Sequence, residues 1–438
     1  MADGRVLIAT GSGPLVWEPS WSRFDELDGC RCAGFDWTRG RQSLFERTET
    51  GTARVYFHDR DGSITDALSG RQIMLQVFDP VEAAWEPVFR GRIADVETEE
   101  NPNALISNVQ LSCVDMFDYL ARVKMVVGTF GGTTLGTSDG TRPTGMDGVV
   151  YYAEGPVDEF VEQLLDDAML ADEWGVVFSG NIDVISTLWD PDDTILQAVR
   201  DAADAELPGI ANVYCDRFGR VAWHGRFARF DPDSVAAGAG STAWDFQRFQ
   251  AGTRGSVASD VAQVRRFQWN VPLDRVVNTF VAFPKEDQAG NPFPQDEVEG
   301  LLKTDPTSIA AYGYRGWEAP ALIVKGHKTN GNTGADECSL YGDYYIANFA
   351  EPRKHVRTVT VMSVRPGRTG AAETWRLLST LDISDVLHLF ISEAGLPDTE
   401  FFVEGIEGTC RPLDEFDMVT VTPNLTPAAD YNTDVFSE

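Results

Sequence analysis

The feature that most limits the fold of this chain is a succession of short apolar runs with a period of two. RVLIAT, CAGFDW, TARVYFH, RQIMLQVFD, VFRGRIADVE and LISNVQLSCV follow one another within the first 120 residues, separated by turn-forming residues. Their β-branched and aromatic side chains suit a pleated, half-buried surface. Val109, Leu111 and Cys113 alternate with Gln110 and Ser112, so one face is apolar and the other polar. Ile73, Leu75 and Val77 alternate with Met74, Gln76 and Phe78, the pattern of a strand partly covered on both faces. Six such runs, with only a short helical patch at DMFDYLAR, predict a β-barrel or sandwich.

A Gly/Thr-rich run, GTFGGTTLGTSDGTRPTG (128–145), follows; it lacks the G-K-[S/T] ending of a phosphate-binding loop and reads as a loop or linker. The period then changes. Val157, Phe160, Val161, Leu164, Leu165 and Ala168 fall on one helical face, with Asp158, Glu159, Glu162, Asp166 and Asp167 opposite. After strand-like WGVVFSG and IDVIST, Asp190-Pro191-Asp192-Asp193 predicts a helix start, with Asp190 as N-cap and Pro191 at the first helical position, leading into a helix over 194–205. Asp216-Arg217-Phe218-Gly219 predicts a turn of one strand back on the next. The Ala/Gly/Ser-rich stretch 231–260 reads as loop. Strands return at VVNTFVAFP, RTVTVMSV, DVLHLFIS, EFFVEGIEG and MVTVTP, interrupted by one helix near 335–349. The order GRQIMLQVFDP, VFRGRIADVE, VQLSCVD has an echo in DISDVLHLFIS, FFVEGIEGTC, MVTVTP, which points to two related β-domains around an α/β insert. The expected layout is a β-domain over 1–125, a loop over 126–150, an acidic α/β domain over 151–230, a loop over 231–260, a second β-domain over 261–425 and a tail over 426–438.

Charge narrows the function. Thirty-six Lys and Arg against 68 Asp and Glu give a formal net charge of −32, which repels phosphate backbones and argues against a protein that grips nucleic acid. Between 154 and 206 there are 15 Asp or Glu and only Arg200 to offset them. No stretch approaches the roughly 18 apolar residues of a membrane span, and MADGRVLIATGSG lacks a basic region followed by a long apolar core, so neither membrane insertion nor a secretory signal is expected. Cys30, Cys32, Cys113, Cys215, Cys338 and Cys410 read as buried reduced thiols, and the five histidines are scattered singly. The run His58-Asp59-Arg60-Asp61-Gly62 fails as a calcium loop, because Ile64 and Gly70 stand where Gly and Glu are needed. No metal-binding, nucleotide-binding or hydrolase frame is present. The expectation is a non-enzymatic chain with no catalytic residue, no cofactor and no metal. A cell-envelope carbohydrate-binding or hydrolytic module is the contrasting reading, to be recognised by a concave aromatic or carboxylate-lined pocket.

Several stretches, taken in order, resemble one family. VLIATGSGP followed by LVWEPSWSRFDELDGCRCAGFDWTRGRQSLFERTETGTARVYFHDRDG is similar to the opening of minor tail proteins from siphophages of actinobacteria. GRQIMLQVFDP, FRGRIADVE, DTILQAVRDAADAELPGIANVYCDRFGRVAWHGRFARFDPD, the run Thr307 to Arg315 and EFFVEGIEG resemble its continuation. The resemblance implies a tail-tip hub related to contractile-phage baseplate hubs, with two tail-tube-like β-barrels in one chain flanking a smaller α/β domain. It further implies a homo-trimer at the distal end of the virion tail, closing the tube. Its partners would be a distal tail ring protein, the tail tube, the tape-measure protein and other minor tail proteins. Genomic DNA would pass without specific binding, along an acidic wall to which Asp158, Glu159, Glu162, Asp166, Asp167, Asp414, Glu415 and Asp417 are candidate contributors, at the lumen or at an interface. The chain ends at TPAADYNTDVFSE with no peptidase or lysin extension, so a wall-degrading activity is expected in another protein. A sixfold distal ring protein is the second structural reading; the internal echo disfavours it, because such a ring needs one barrel per chain.

Overall fold

The computed structural model describes residues 4–10, 15–24, 29–42, 46–60, 62, 64, 68–101, 106–125, 129–130, 133–134, 150–170, 172–190, 192–229, 246–252, 261–287, 289–391, 395–412, 418–428 and 436. Thirteen strands share one sheet. The first seven are β1 (Arg5–Ala9), β2 (Trp21–Arg23), β3 (Cys30–Gly40), β4 (Thr52–Asp59), β5 (Gln72–Asp79), β6 (Ala84–Asn101) and β7 (Ile106–Val114). The other six are β8 (Arg248–Gly252), β9 (Ala262–Asn270), β10 (His355–Met362), β11 (Val386–Ile391), β12 (Leu396–Arg411) and β13 (Met418–Pro427). Among the described residues strand accounts for 46% and helix for 21%, so the fold is mainly β.

The six strands β8 to β13 close into a barrel, with neighbours in the order β8-β11-β12-β13-β10-β9 and β9 returning to β8. The N-terminal strands repeat this order as β1-β5-β6-β7-β4-β3, with short β2 added outside β1. In both units the first, fourth, fifth, sixth, third and second of six strands lie side by side. The echo seen in the sequence is therefore β5-β6-β7 against β11-β12-β13. The units differ in one pairing, since β1 meets β5 antiparallel while β8 meets β11 parallel.

Alternation places every second side chain inside. Val55, Phe57, Leu111, Cys113, Val359, Val361, Val419 and Val421 belong to one core shared by both β-units. Helix α6 (Ala371–Thr380) joins that core through Trp375, Leu377 and Leu378, and the Trp375 indole donates to the Val364 carbonyl at 2.8 Å.

A second core belongs to the α/β part. Here α1 (Met116–Leu120), α2 (Val157–Asp167) and α3 (Ile195–Glu206) pack with short sheets at 175–177, 212–215 and 221–224. Helix α4 (Pro306–Tyr312) precedes α5 (Gly334–Phe349), which starts with a capping box in which Thr333 and Asp336 bond reciprocally. Cys338, Tyr341, Tyr344, Tyr345 and Phe349 of α5 lie in the core of α2 and α3, not in the barrel. The segment 276–350 thus leaves the barrel between β9 and β10 and completes the α/β part. The sequence reading placed a helix near 335–349 but carries no information on which core receives it.

Two local readings are corrected. The N-cap of α3 is Thr194, whose hydroxyl accepts from the Gln197 N–H at 3.2 Å. Asp190 and Asp193 instead close a turn just before it, with the Asp190 N–H donating to Asp193 Oδ2 at 2.9 Å. The stretch 231–260 is not all loop, because Phe249 and Ala251 of β8 are fully buried between exposed Arg248 and Gln250; a five-residue alternation is easily lost between Gly- and Ala-rich flanks.

Candidate functional site

The duplication builds one continuous surface. Seven successive antiparallel pairings join β6, β7, β4, β3, β12, β13, β10 and β9 in that order. Strand β12 makes this possible by serving two neighbours: its first half pairs with β11 inside the barrel, and Gly405 to Cys410 pair with β3 of the other unit. Since directly paired residues share a face, the outward rows can be read off the register. One runs Asp95, Ser112, Arg54, Asp36, Thr409, Thr420, Met362; another includes Thr52, Thr38, Glu407 and Thr422.

The outward face is mainly polar, with Met362 an apolar member of the first row. Thr360 and Thr422 hydroxyls are 3.2 Å apart, the Thr358 hydroxyl donates to Gln268 at 3.5 Å, and His58 Nδ1 meets Asn108 Oδ1 at 2.9 Å. At the junction of the units, Arg411 donates to Asp36 Oδ1 at 2.6 Å and the Tyr56 hydroxyl to Asp36 Oδ2 at 3.1 Å. Burial, followed by the Asp36 charge, raises the Tyr56 phenol above its ordinary range. Acids Asp36, Asp95, Glu97, Glu99 and Glu407 face Arg31, Arg54, Arg266 and Arg411 across it, so the face is mixed in charge, with acids gathered on β6.

The β3–β12 seam requires close backbone approach. Gly408 lies opposite Trp37, and a Cβ there would meet the indole ring at 2.0 Å. Gly40 has φ +82°, and a Cβ would come 2.3 Å from the Glu404 carbonyl oxygen.

Behind the seam, buried ion pairs hold the α/β part against the β-units. Glu404, fully buried, accepts from Arg41 Nε at 2.9 Å and from Arg229 Nη1 at 2.7 Å. Arg39 bonds Asp382 at 2.6 Å, whose other oxygen takes the Arg217 N–H at 2.9 Å. Arg226 bonds Glu337 at 2.8 Å and lies 3.4 Å from Glu206. The first two clusters tie the α/β part to the β-units, while the third ties the end of α3 and Arg226 to α5 within the α/β part.

One titration should show in stability. Burial lowers the His355 imidazole to about 4, aided by Arg275 and opposed by Asp274. The unfolded ring, near 6.5, takes a proton that the folded ring refuses, so stability present above pH 6.5 is lost as pH falls toward 4. The shift corresponds to ~3 kcal/mol, cut to roughly 1–2 kcal/mol by the ring's partial access to water. Denaturant titrations at pH 7.5 and 4.5 should show this loss, and His355→Asn should remove it.

The acids of α2 singled out in the sequence lie elsewhere. Asp158 bonds Lys328 at 2.5 Å and Asp167 accepts from the Tyr152 hydroxyl at 2.6 Å, so both serve the α/β part. Glu159 and Asp166 are exposed and Glu162 is half-buried beside them. Burial, then Asp158, Asp166 and Glu159, raises the Glu162 carboxyl, the mark of a crowded acidic helix face. Asp414, Glu415 and Asp417 fall outside the described residues, in the connection between Arg411 and Met418, and most of the run 128–145 is outside them too. The outward residues of β3, β4, β7 and β13 were missed, although the alternation that buries their neighbours had already placed them on the opposite face.

A cleft of about 400 Å³ opens between residues 46–48, α3 and the strand at 316–322. Two of its acids share one cation, Arg47 lying 2.5 Å from Asp204 and 3.2 Å from Asp201. Among the described residues no cluster of His, Cys, Asp and Glu is arranged to hold a metal, and no helix is long and apolar enough to cross a membrane.

Two solved structures share this architecture along nearly their whole length. A tail protein from Neisseria meningitidis superposes with a TM-score of 0.53 at 11% identity, covering 96% of this chain and 96% of its own. The 43 kDa tail protein of prophage MuSo2 from Shewanella oneidensis gives 0.54 at 12%, covering 98% and 99%. At such identities the likeness is one of fold. No family model matches the chain, and no curated protein matches its sequence.

Proposed function

We propose that this chain is a structural subunit of a phage tail, the hub protein at the distal end of the tube, acting as a ring of three copies. The observation that carries this reading is the eight-stranded polar face made by two like-folded units in one chain. The fold shared with two tail proteins supports it, as does the resemblance of the sequence to siphophage minor tail proteins.

Ring geometry supports three copies. About 24 strands at ~4.8 Å spacing make a wall ~37 Å across, and a side-chain layer of ~5 Å on each side leaves ~27 Å open. Two copies leave only ~14 Å by the same spacing, too narrow for duplex DNA at about 20 Å. Six like units in the ring would match a sixfold tube. Partners are then the tube or distal ring above, the tape-measure protein within, and other minor tail proteins.

In this reading the wall offers DNA hydroxyls, amides and locally compensated charges in place of a basic groove. The surplus of acid keeps phosphates from lodging. Asp414, Glu415 and Asp417, between Arg411 and Met418 in the sequence, are kept as candidates for the lumen or an interface. Asp158, Glu159, Glu162, Asp166 and Asp167 belong to the α/β part and suit an interface with a neighbouring ring. Cryo-electron microscopy of intact tails tests the proposal: three copies around the axis, with the eight-stranded face of each lining the bore, is the expected result. Six copies would reassign the chain to a distal ring, and absence from the particle would return the envelope-binding reading.

A further inference from the structure

We propose that the cleft beside strand Gly316–Leu322 takes an extended, arginine- or lysine-bearing segment of a partner protein. The segment adds to the open edge of that strand and sets a basic side chain against Asp201 and Asp204. This binding site goes beyond the structural role above and does not depend on the number of copies in a ring.

Strand Gly316–Leu322 is the outer member of a three-stranded sheet, and among the described residues it has a strand on one side only, parallel Thr279–Pro284. The Thr279 N–H donates to the Arg315 carbonyl at 3.1 Å. In a parallel ladder alternate residues bond the same neighbour, so Trp317 turns its backbone groups toward that strand while Gly316 and Glu318 turn theirs away. Trp317, Glu318 and Ala319 all border the cleft. Successive side chains point to opposite faces of a strand, so three consecutive residues border one cavity only along an edge, here the open one. Unpaired edges are templates for strand addition, the mode by which many domains take extended peptides. The free stretch is short: Pro320 has no N–H, and just past the strand the Ile323 carbonyl accepts from the Ile185 N–H at 2.9 Å. It suits a segment of a few residues.

The other walls set the chemistry of the segment. Helix α3 contributes Asp201 and Asp204, residues 46–48 contribute Glu46 and Arg47, and Glu318 stands on the strand itself. Four carboxylates thus border the cleft against Arg41, Arg47 and Arg200, and Arg41 is already engaged by buried Glu404. Arg47 serves both Asp201 and Asp204 from a side chain that is 47% exposed. Burial raises both carboxyls in spite of Arg47, so a further cation at this wall is favoured. An acidic segment would meet four like charges.

Asn212 is an independent sign of a ligand. It lies in the cleft wall, 2% exposed, and the Thr48 hydroxyl donates to its Oδ1 at 3.0 Å. Its amide nitrogen meets no acceptor among the described residues. Buried polar groups are ordinarily paired, and a peptide carbonyl is the acceptor that a segment in the cleft would bring. A small organic cation carries no such carbonyl and would satisfy the acids alone. The cleft volume of about 400 Å³ falls within the ~300–1,000 Å³ of ligand sites, and Val213, Leu322 and Ile323 give it an apolar floor.

Calorimetry on the full-length chain tests the site with a heptapeptide of alternating threonine and arginine, blocked at both ends. Its threonine–glutamate counterpart, arginine amide and spermidine are the comparisons. The arginine peptide is expected to bind about tenfold or more tightly than each of the three, and to slow amide hydrogen exchange at 316–319. Asp201→Asn with Asp204→Asn should weaken it about tenfold. Glu318→Lys, at an exposed position where the fold is not at risk, should weaken it as well. Arginine amide or spermidine binding as tightly as the peptide would make this a site for small cations and overturn the segment. Binding without protection at 316–319 would overturn strand addition. Binding that both variants leave unchanged lies elsewhere on the molecule, and no heat at about 1 mM peptide means no site; either result overturns the proposal.

Discussion

Replacing Glu404 with alanine is expected to destabilise the protein by about 3–5 kcal/mol, because two guanidinium groups would be left buried without their carboxylate. Arg41 and Arg229 reach Glu404 from different parts of the chain, at 2.9 and 2.7 Å, and their side chains are 3% and 2% exposed. Neither can turn to water without opening the contact between the α/β part and the β-units. The loss should appear as a lower thermal midpoint and as early release of the α/β part in limited proteolysis. The cluster also makes an opposite prediction. Arg41→Met, Glu404→Met and Arg229→Met combined should recover most of the loss, since well-packed apolar side chains avoid the cost of desolvating ions. A triple variant as unstable as the single one would show that the backbone bond from Arg41 N–H to the Glu404 carbonyl, at 2.9 Å, and its surroundings matter more than the charges.

The second large effect is expected at Gly408. Leucine there must displace the Trp37 indole, which a Cβ alone would meet at 2.0 Å. Trp37 is 2% exposed and packed in the shared core, so the ring has nowhere to go without moving strands. Overpacking of this kind costs about 1–3 kcal/mol, occasionally more, and here it falls on the only seam that joins the two β-units among the described residues. The expected result is a destabilised chain that no longer assembles. Trp37→Leu should lose stability alone, through the cavity it leaves, yet partly rescue Gly408→Leu by making room. Strict additivity in this double-mutant cycle would mean that the ring and the glycine do not share the same space.

Much of the β architecture was legible because strands half-exposed to water must alternate. The runs around Val109 and Val421 carry that alternation openly, and the echo of β5-β6-β7 in β11-β12-β13 survives because both triplets satisfy the same inside-outside demands. Helix α2 was legible from the 3.6-residue period and α3 from the helix-start residues before it. What failed was assignment of partners. Thr194 took the N-cap from Asp190 because the acidic tetrapeptide closed its own turn first. Helix α5 joined the α/β core because segment 276–350 leaves the barrel and returns, a path that no local pattern records. The candidate acids of α2 were chosen for their density, yet density does not distinguish a wall from a helix face with its own ion pairs, as Asp158 with Lys328 shows.

Sequence alone determined that this chain is acidic, β-rich and doubled, because composition and period are properties of neighbouring residues. Tertiary structure decided which strands meet. Gly405 to Cys410 reach across to β3 only because Gly40 and Gly408 permit two backbones and an indole to share a narrow space. That one long-range pairing turns two separate β-units into a single eight-stranded face, bounded by β6 beyond Ile93 and β9 beyond Gln263, which among the described residues have a strand on one side only.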